Sequence, residues 1–283
     1  MTAWLPAATV ADLYRAACLA ELDALKPGNV HAYAPGHRMV TADFVTSAAV
    51  SAPSLAAAGA RVGARVLGGV EATREAVGQN TNLGILLLCA PLARAAEATE
   101  PLPEALRAVL AGFETADAAD VFSAIRRANP GGLGRAARHD VAGEGPLPTL
   151  AEAMAEAAPR DRIARAYTDG FGDLFAIGLP ALAAARARGL APPWTTTAVH
   201  LAYLMGVPDS HIARKHGPER AEAVQAEAQA RLAGLDLGTA PIETLLDYDR
   251  SLKEAGLNPG TSADFTVATL FLDALIAARG EAI

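Results

Sequence analysis

Helical periodicity runs through nearly the whole chain, and strand alternation is absent from it. Apolar residues return every three or four positions, as at Leu13, Ala16, Ala17 and Ala20, which gathers them on one face of a helix. Without two-residue alternation there are no half-buried strands to build a sheet. Composition agrees. Aromatic residues are 5% of the chain while Ala, Leu, Arg and Glu abound, and strands draw on aromatic and β-branched side chains. At 283 residues, 52% hydrophobic and 19% charged, the chain can bury a large core and is too apolar to be disordered. The expected fold class is all-α. Residues 1–283 form a single domain, a multi-helix bundle around a central apolar helix.

The apolar run Leu83 to Ala93 is the expected central helix. Ala11 to Leu25 reads as an earlier helix, broken by Lys26-Pro27-Gly28-Asn29. Thr41 is the expected N-cap of a helix running into the sixties and stopping at Gly68-Gly69. Asn129 to Pro148 reads as a loop suited to a mobile segment or lid. Asp161 to Arg188 reads as a helix kinked or split at Pro180. Pro218 to Leu232 has Pro in its first turn and Gly234 as a stop. Thr261 to Ala278 is the last helix.

Charge and targeting narrow the function classes. The chain has 24 Lys+Arg against 31 Asp+Glu, a net charge of −7. That balance argues against nucleic acid as a partner, because neutralising phosphates needs a net basic face. The run Leu83 to Ala93 is too short for a bilayer, which needs about 20 apolar residues. The expectation is a cytoplasmic protein with no membrane partner; a homodimer is left open. Cys18 and Cys89 lie in Ala-rich apolar stretches without metal-ligand spacing and read as small buried hydrophobes.

Chemistry is expected where polar residues cluster at helix breaks. There are four such clusters. The first is Glu21, Lys26-Pro27-Gly28-Asn29-Val30-His31, Gly36-His37 and Asp43. A lysine at a Pro-Gly turn suits a phosphate, and an imidazole suits proton transfer. The second is Gly78-Gln79-Asn80-Thr81-Asn82-Leu83-Gly84, ahead of the apolar helix, where backbone N–H groups and Asn/Thr side chains suit an anion. The third is Pro208-Asp209-Ser210-His211-Ile212-Ala213-Arg214-Lys215-His216-Gly217, with a carboxylate for Mg²⁺ and cations for polyphosphate. The fourth is Asn258-Pro259-Gly260-Thr261-Ser262-Ala263-Asp264-Phe265. Each also has a purely structural reading as a capped turn or a solvated basic stretch. Of the three lysines, Lys26 and Lys215 fall inside these clusters, and Lys253 lies on an ordinary helical stretch.

Taken in order, these elements resemble the triphosphoribosyl-dephospho-CoA synthase family. The resemblance rests on Glu21 before Lys26-Pro27-Gly28, then Gly36-His37 before Asp43-Phe44 and Ser47. It continues with Asn80-Thr81-x-x-Gly84, Asp209 with Arg214, and Pro259-Gly260-x-Ser262-Ala263-Asp264. It spans most of the chain and implies an all-helical enzyme. In the implied reaction the 2′-hydroxyl of dephospho-CoA attacks C1′ of the ATP ribose and adenine leaves. The implied partners are ATP and a nucleotide-like acceptor, with Mg²⁺ as cofactor. Developing ribosyl charge calls for a carboxylate, the attacking hydroxyl for a base, and the departing purine for an acid.

On this resemblance Glu21, Asp264, His37 and His31 are the catalytic candidates, with His37 the preferred acid. Asp209 and Asp264 are the metal candidates. Lys26, Gly28, Asn29, Asn80, Thr81, Asn82, Arg214, Lys215 and Ser262 are the substrate-binding candidates. Lyase-linked members carry His-Lys where this chain has Asn82 and Leu83, and their Arg-Gly-Glu segment is replaced by Gly131-Gly132-Leu133-Gly134. The alternatives are action on another phosphorylated cofactor precursor, as in pterin or one-carbon cofactor assembly, and a non-catalytic helical nucleotide-binding protein. An enzyme requires Lys26, His37, Asn80, Asp209 and Asp264 to gather at one cleft.

Overall fold

The computed structural model describes residues 4–34, 40–131, 141, 143 and 147–281. Those residues contain fourteen α-helices and no strand. In chain order they are α1 (Ala7–Asp23), α2 (Thr41–Leu55), α3 (Val62–Val77), α4 (Leu83–Ala95), α5 (Leu102–Ala111), α6 (Thr115–Ala128) and α7 (Leu150–Ala157). Then follow α8 (Arg162–Asp169), α9 (Leu179–Ala187), α10 (Pro192–Gly206), α11 (Ser210–His216), α12 (Pro218–Leu232), α13 (Ile242–Glu254) and α14 (Gly260–Ala278).

The expected central helix is α4. Apart from Gly84 and Arg94, all of its residues are buried, the pattern of a helix surrounded on every side. It packs against α3, α5, α8 and α14. The second buried helix, α14, has the length and apolarity of a membrane span, yet 67% of its most apolar stretch is buried inside the protein. It rests on α1, α4 and α10. A smaller apolar cluster joins Leu201, Leu204, Ile212, Val224, Leu245 and Leu252, on α10 to α13. Helix α10 also sends Val199 and Tyr203 into the main core, so it binds the two parts together.

Two expected boundaries move. The helix from Thr41 ends at Leu55, restarts at Val62, and runs through Gly68-Gly69 to Val77. Arg65 explains the early break. Fully buried, it donates to the carbonyls of Leu55 and Ala60 and pairs with Glu97, satisfying backbone groups at the end of α2. The glycines serve packing instead of termination. A Cβ on Gly68 would lie 2.9 Å from Ser54 Oγ, and one on Gly69 2.7 Å from Leu86 Cδ2. Their absence lets α3 press onto α2 and α4.

The segment 161–188 divides at Gly170-Phe171, both at positive φ, and is irregular again just before Pro180. A π-helical turn follows at Leu174–Gly178. Pro180 lies just past this turn in an unbroken helix; Leu179 N–H bonds the Leu174 carbonyl, so the π-turn absorbs the register break that the proline's missing N–H imposes. Cys18 is half-buried and Cys89 buried, and both are free thiols. Most of the segment expected as a lid, and the Gly132-Leu133-Gly134 run, lie outside the described residues.

Candidate active site

The four polar clusters meet around the N-terminal turn of α14. Gly28 has φ +83°, and a Cβ there would lie 2.7 Å from Pro259 Cδ; the first turn packs directly on the fourth. Asn29 Nδ2 donates to Asn258 Oδ1 at 2.8 Å. Asp209, from the third cluster, accepts at Oδ1 from the N–H groups of His211 and Ile212, at 2.9 and 3.1 Å. Its Oδ2 accepts from Ser262 N and Oγ, at 2.8 and 2.9 Å. One carboxylate thus ties the start of α11 to the start of α14. The second cluster closes the ring. A Cβ on Gly84 would lie 2.6 Å from Asp264 Cγ and 2.9 Å from Ile163 Cδ1. Only glycine admits the Asp264 carboxylate against the first turn of α4, at the positive end of its dipole.

Between these turns lies a cavity of about 450 Å³, within the roughly 300–1,000 Å³ usual for small-molecule sites. Three carboxylates line it, Glu21, Asp161 and Asp264, with three cations, Arg74, Arg214 and Lys215. His211, Asn29, Gln79, Asn80, Thr81 and Asn258 add polar groups; Phe44, Leu83, Ile85, Leu87, Ile125 and Ile163 form the apolar wall.

Asp264 makes no hydrogen bond or ion pair with the described residues. Burial, and then the nearby charges of Asp209 and Glu21, hold its carboxyl well above the usual carboxylate range; Arg214 opposes them. Lys215 also lacks a hydrogen bond or ion pair among the described residues. Burial and the adjacent Arg214 lower its pKa. Arg214 Nε donates to the Gly131 carbonyl at 3.1 Å, and its Nη1 lies 3.5 Å from Asp161 Oδ2. Asp161 Oδ1 caps α8 through Ile163 N and Ala164 N.

The sequence candidates divide into lining residues and supports. Glu21, Asn29, Asn80, Thr81, Arg214, Lys215 and Asp264 line the cavity. Lys26 does not and is no phosphate ligand in this arrangement. It is fully buried, donates to Glu21, to Asn29 Oδ1 at 3.3 Å and to the Val30 carbonyl at 2.7 Å. Burial lowers its pKa and raises that of Glu21, and their mutual attraction opposes both shifts.

His31 is also turned away from the cavity. Its Nδ1 accepts from Tyr33 N at 3.2 Å, and its Nε2 lies 3.3 Å from Asp249 Oδ1. Burial lowers its pKa. Asp249 also accepts from Gly28 N at 2.8 Å and from Lys253 at 2.9 Å, so Gly28 belongs to the scaffold of the turn. Fully buried His200 stands among the same residues, pushed down to about 3 by burial.

Asn82 is buried and donates to Ser51 Oγ and Thr73 Oγ1, at 3.2 and 3.0 Å. Ser262 is occupied by Asp209. Asp209 cannot serve as the expected metal ligand, because four protein donors take both its oxygens and it does not line the cavity. His37, the preferred acid, lies outside the described residues.

Of the five residues required to gather at one cleft, Asn80 and Asp264 line it, while Lys26 holds lining Glu21 and Asp209 holds lining His211 from behind. Sequence reasoning passed over Asp161, Asp249 and Arg74, and placed Asn258 and His211 in clusters without giving either a role. Asp161 showed only as a helix start, and Asp249 sits four residues before Lys253, the spacing of an ordinary helical ion pair.

Among the described residues no three His, Cys, Asp or Glu side chains converge to hold a metal unaided. Mg²⁺ is commonly held by one or two carboxylates with substrate phosphates and water. The carboxylates in the cavity are the residues that would hold it.

Neither the comparison with curated proteins nor that with solved structures finds a match. Among protein families, residues 7–282 match CitG, described as ATP:dephospho-CoA triphosphoribosyl transferase. That is nearly the whole chain, and the chain therefore belongs to the ATP:dephospho-CoA triphosphoribosyl transferase family.

Proposed function

We propose that the cavity bounded by α4, α11 and α14 is the active site of this ATP-dependent transferase. The observation that carries this reading is the pair formed by Asp264 and Lys215. A carboxylate and a cation, each without a partner among the described residues, line the same cavity. Lys215 is solvent-exposed and loses nothing by standing unpaired, whereas a carboxyl as desolvated as Asp264 is left without a partner chiefly where a ligand supplies one.

Lys215 and Arg214 bind the triphosphate, which they can reach together from the last turn of α11. Asn80 and Thr81 hold phosphate or ribose oxygens beside the start of α4. Thr81 Oγ1 is set by Ser47 Oγ at 2.5 Å, and Asn80 Oδ1 by Leu83 N at 3.2 Å. The apolar wall of Phe44, Leu83 and Ile163 offers a surface for the purine. Asp264 takes the proton of the attacking 2′-hydroxyl and stabilises positive charge on the ribose. In its ionised form, a carboxylate whose pKa is raised by burial is a stronger base than a solvated one. Glu21, fixed by Lys26, adds negative potential on the same side. Mg²⁺ would neutralise triphosphate charge, and of the carboxylates that line the cavity, Asp161 and Asp264 are those that would hold it.

The test is adenine release from ATP on addition of dephospho-CoA, with the product identified by mass. Asp264→Asn should lower kcat by about 10³-fold or more while the protein remains folded. Lys215→Ala should raise KM for ATP roughly tenfold, the scale of one hydrogen bond to a charged group. No adenine release with dephospho-CoA, or an unaltered Asp264→Asn enzyme, refutes the assignment.

A further inference from the structure

Among the described residues, His211 is the one imidazole that lines the cavity. It sits at the start of α11, half-buried, and its backbone is held from two sides. The N–H donates to Asp209 Oδ1 at 2.9 Å and to Thr261 Oγ1 at 3.0 Å. Thr261 Oγ1 is itself 3.0 Å from Ser210 Oγ. The ring lies on Gly260. A Cβ there would come within 2.6 Å of His211 Nδ1, 3.2 Å of Cγ and 3.3 Å of Cε1. Gly260 is not one of the positive-φ glycines, so its backbone conformation does not demand glycine. The space it leaves is filled by the imidazole.

The same Asp209 that fixes His211 fixes Ser262, two residues before Asp264. The imidazole and the proposed base are therefore set relative to each other by one buried carboxylate. Glycosyl transfer from a purine nucleotide needs such a pair, because adenine leaves poorly as an anion and readily once protonated. Imidazole can donate a proton near neutral pH.

We propose that His211 is the general acid that protonates adenine as it leaves; the proposal rests on the reading of this cavity as the active site. The 2′-oxygen of the acceptor forms its bond to C1′ and loses its proton to Asp264. The C1′–N9 bond breaks and its electron pair passes to the purine. The proton from the His211 ring goes to a purine ring nitrogen, so neutral adenine departs. Asp264 then returns its proton through solvent, His211 is reprotonated, and the cycle consumes no net proton.

The test compares ATP with its N7-methylated analogue, whose base leaves as a neutral molecule without being protonated. His211→Gln should lower kcat on ATP by about 10²–10⁴-fold. Its KM for ATP, and its turnover of the methylated analogue, should stay within about threefold of the parent enzyme. Gly260→Ala, which displaces the ring without removing it, should show the same selective loss in smaller measure. Equal loss on both substrates assigns His211 a structural role and overturns the proposal. So does a rise in KM alone, or a selective loss in His37→Gln that is missing from His211→Gln. If the parent enzyme releases no adenine from ATP with dephospho-CoA, the reading of the cavity itself fails, and this assignment with it.

Discussion

Gly84→Ala tests whether the close approach of Asp264 to α4 serves catalysis. The added methyl would sit 2.6 Å from Asp264 Cγ and 2.9 Å from Ile163 Cδ1. Carbon atoms in contact rest about 3.5–4.0 Å apart, so roughly 1 Å of displacement is needed. Helices α4 and α14 are buried and closely packed, and cannot readily separate. The Asp264 side chain, which has no hydrogen-bond or ion-pair partner among the described residues, is the group that yields. Overpacking costs about 1–3 kcal/mol. Replacing Gly by Ala in a helix returns up to about 1 kcal/mol. The net loss of about 0–3 kcal/mol should lower Tm by no more than about 12 °C. A misplacement of about 1 Å can cost around 10²-fold in rate. Adenine release should therefore fall about 100-fold in a protein that still melts cooperatively. Adding Ile163→Val relieves the other contact, and should restore stability without restoring turnover. Turnover within about threefold of the parent enzyme, with the fold intact, would falsify the role given to the Asp264 position.

Three further outcomes follow from the buried charges. The raised pKa of Asp264 means that the folded state holds its proton more tightly than the unfolded chain. The associated stability is complete below the ordinary carboxylate value of about 3.9 and drains away as pH rises through the elevated one. Asp264→Asn should therefore gain stability over the parent protein as pH is raised from about 4 to 8; a difference that stays flat in denaturant titrations contradicts the shift. Lys26→Met should cost about 3–5 kcal/mol by stranding buried Glu21, with much of this recovered in Glu21→Gln/Lys26→Met. A higher KM for ATP with unchanged stability would instead make Lys26 a phosphate ligand. Asp209→Asn keeps one acceptor oxygen for four donors and should lose about 2 kcal/mol or more by urea unfolding. Weakened Mg²⁺ dependence without that loss would restore Asp209 as a metal ligand.

The fold was legible because period and burial agree in most helices. Pro218–Leu232 matches its expected limits, and the apolar run becomes α4. The misread boundaries share a cause. Gly68 and Gly69 are local breakers whose role here depends on what packs beside them. The break at residue 56 owes to Arg65, a charge that comes to satisfy carbonyls up to ten residues earlier.

For the site, the sequence by itself determined which turns carry polar chemistry, because Pro-Gly breaks and helix starts are local. All four clusters border one cavity or support a residue that does. The tertiary structure decided which members of each cluster face it. Asp209 and Asp264 are both aspartates near helix starts, yet one is held by four donors and the other faces open space. The three lysines part in the same way. Lys26 is an internal counter-ion, Lys253 pairs with the Asp249 that holds the turn, and Lys215 lines the cavity. A buried charge takes whatever partner the fold brings within about 3 Å, and partners such as Asp249 for Gly28 lie 221 residues away along the chain. No local pattern encodes that distance, so the division between scaffold and site appears only when the helices are packed.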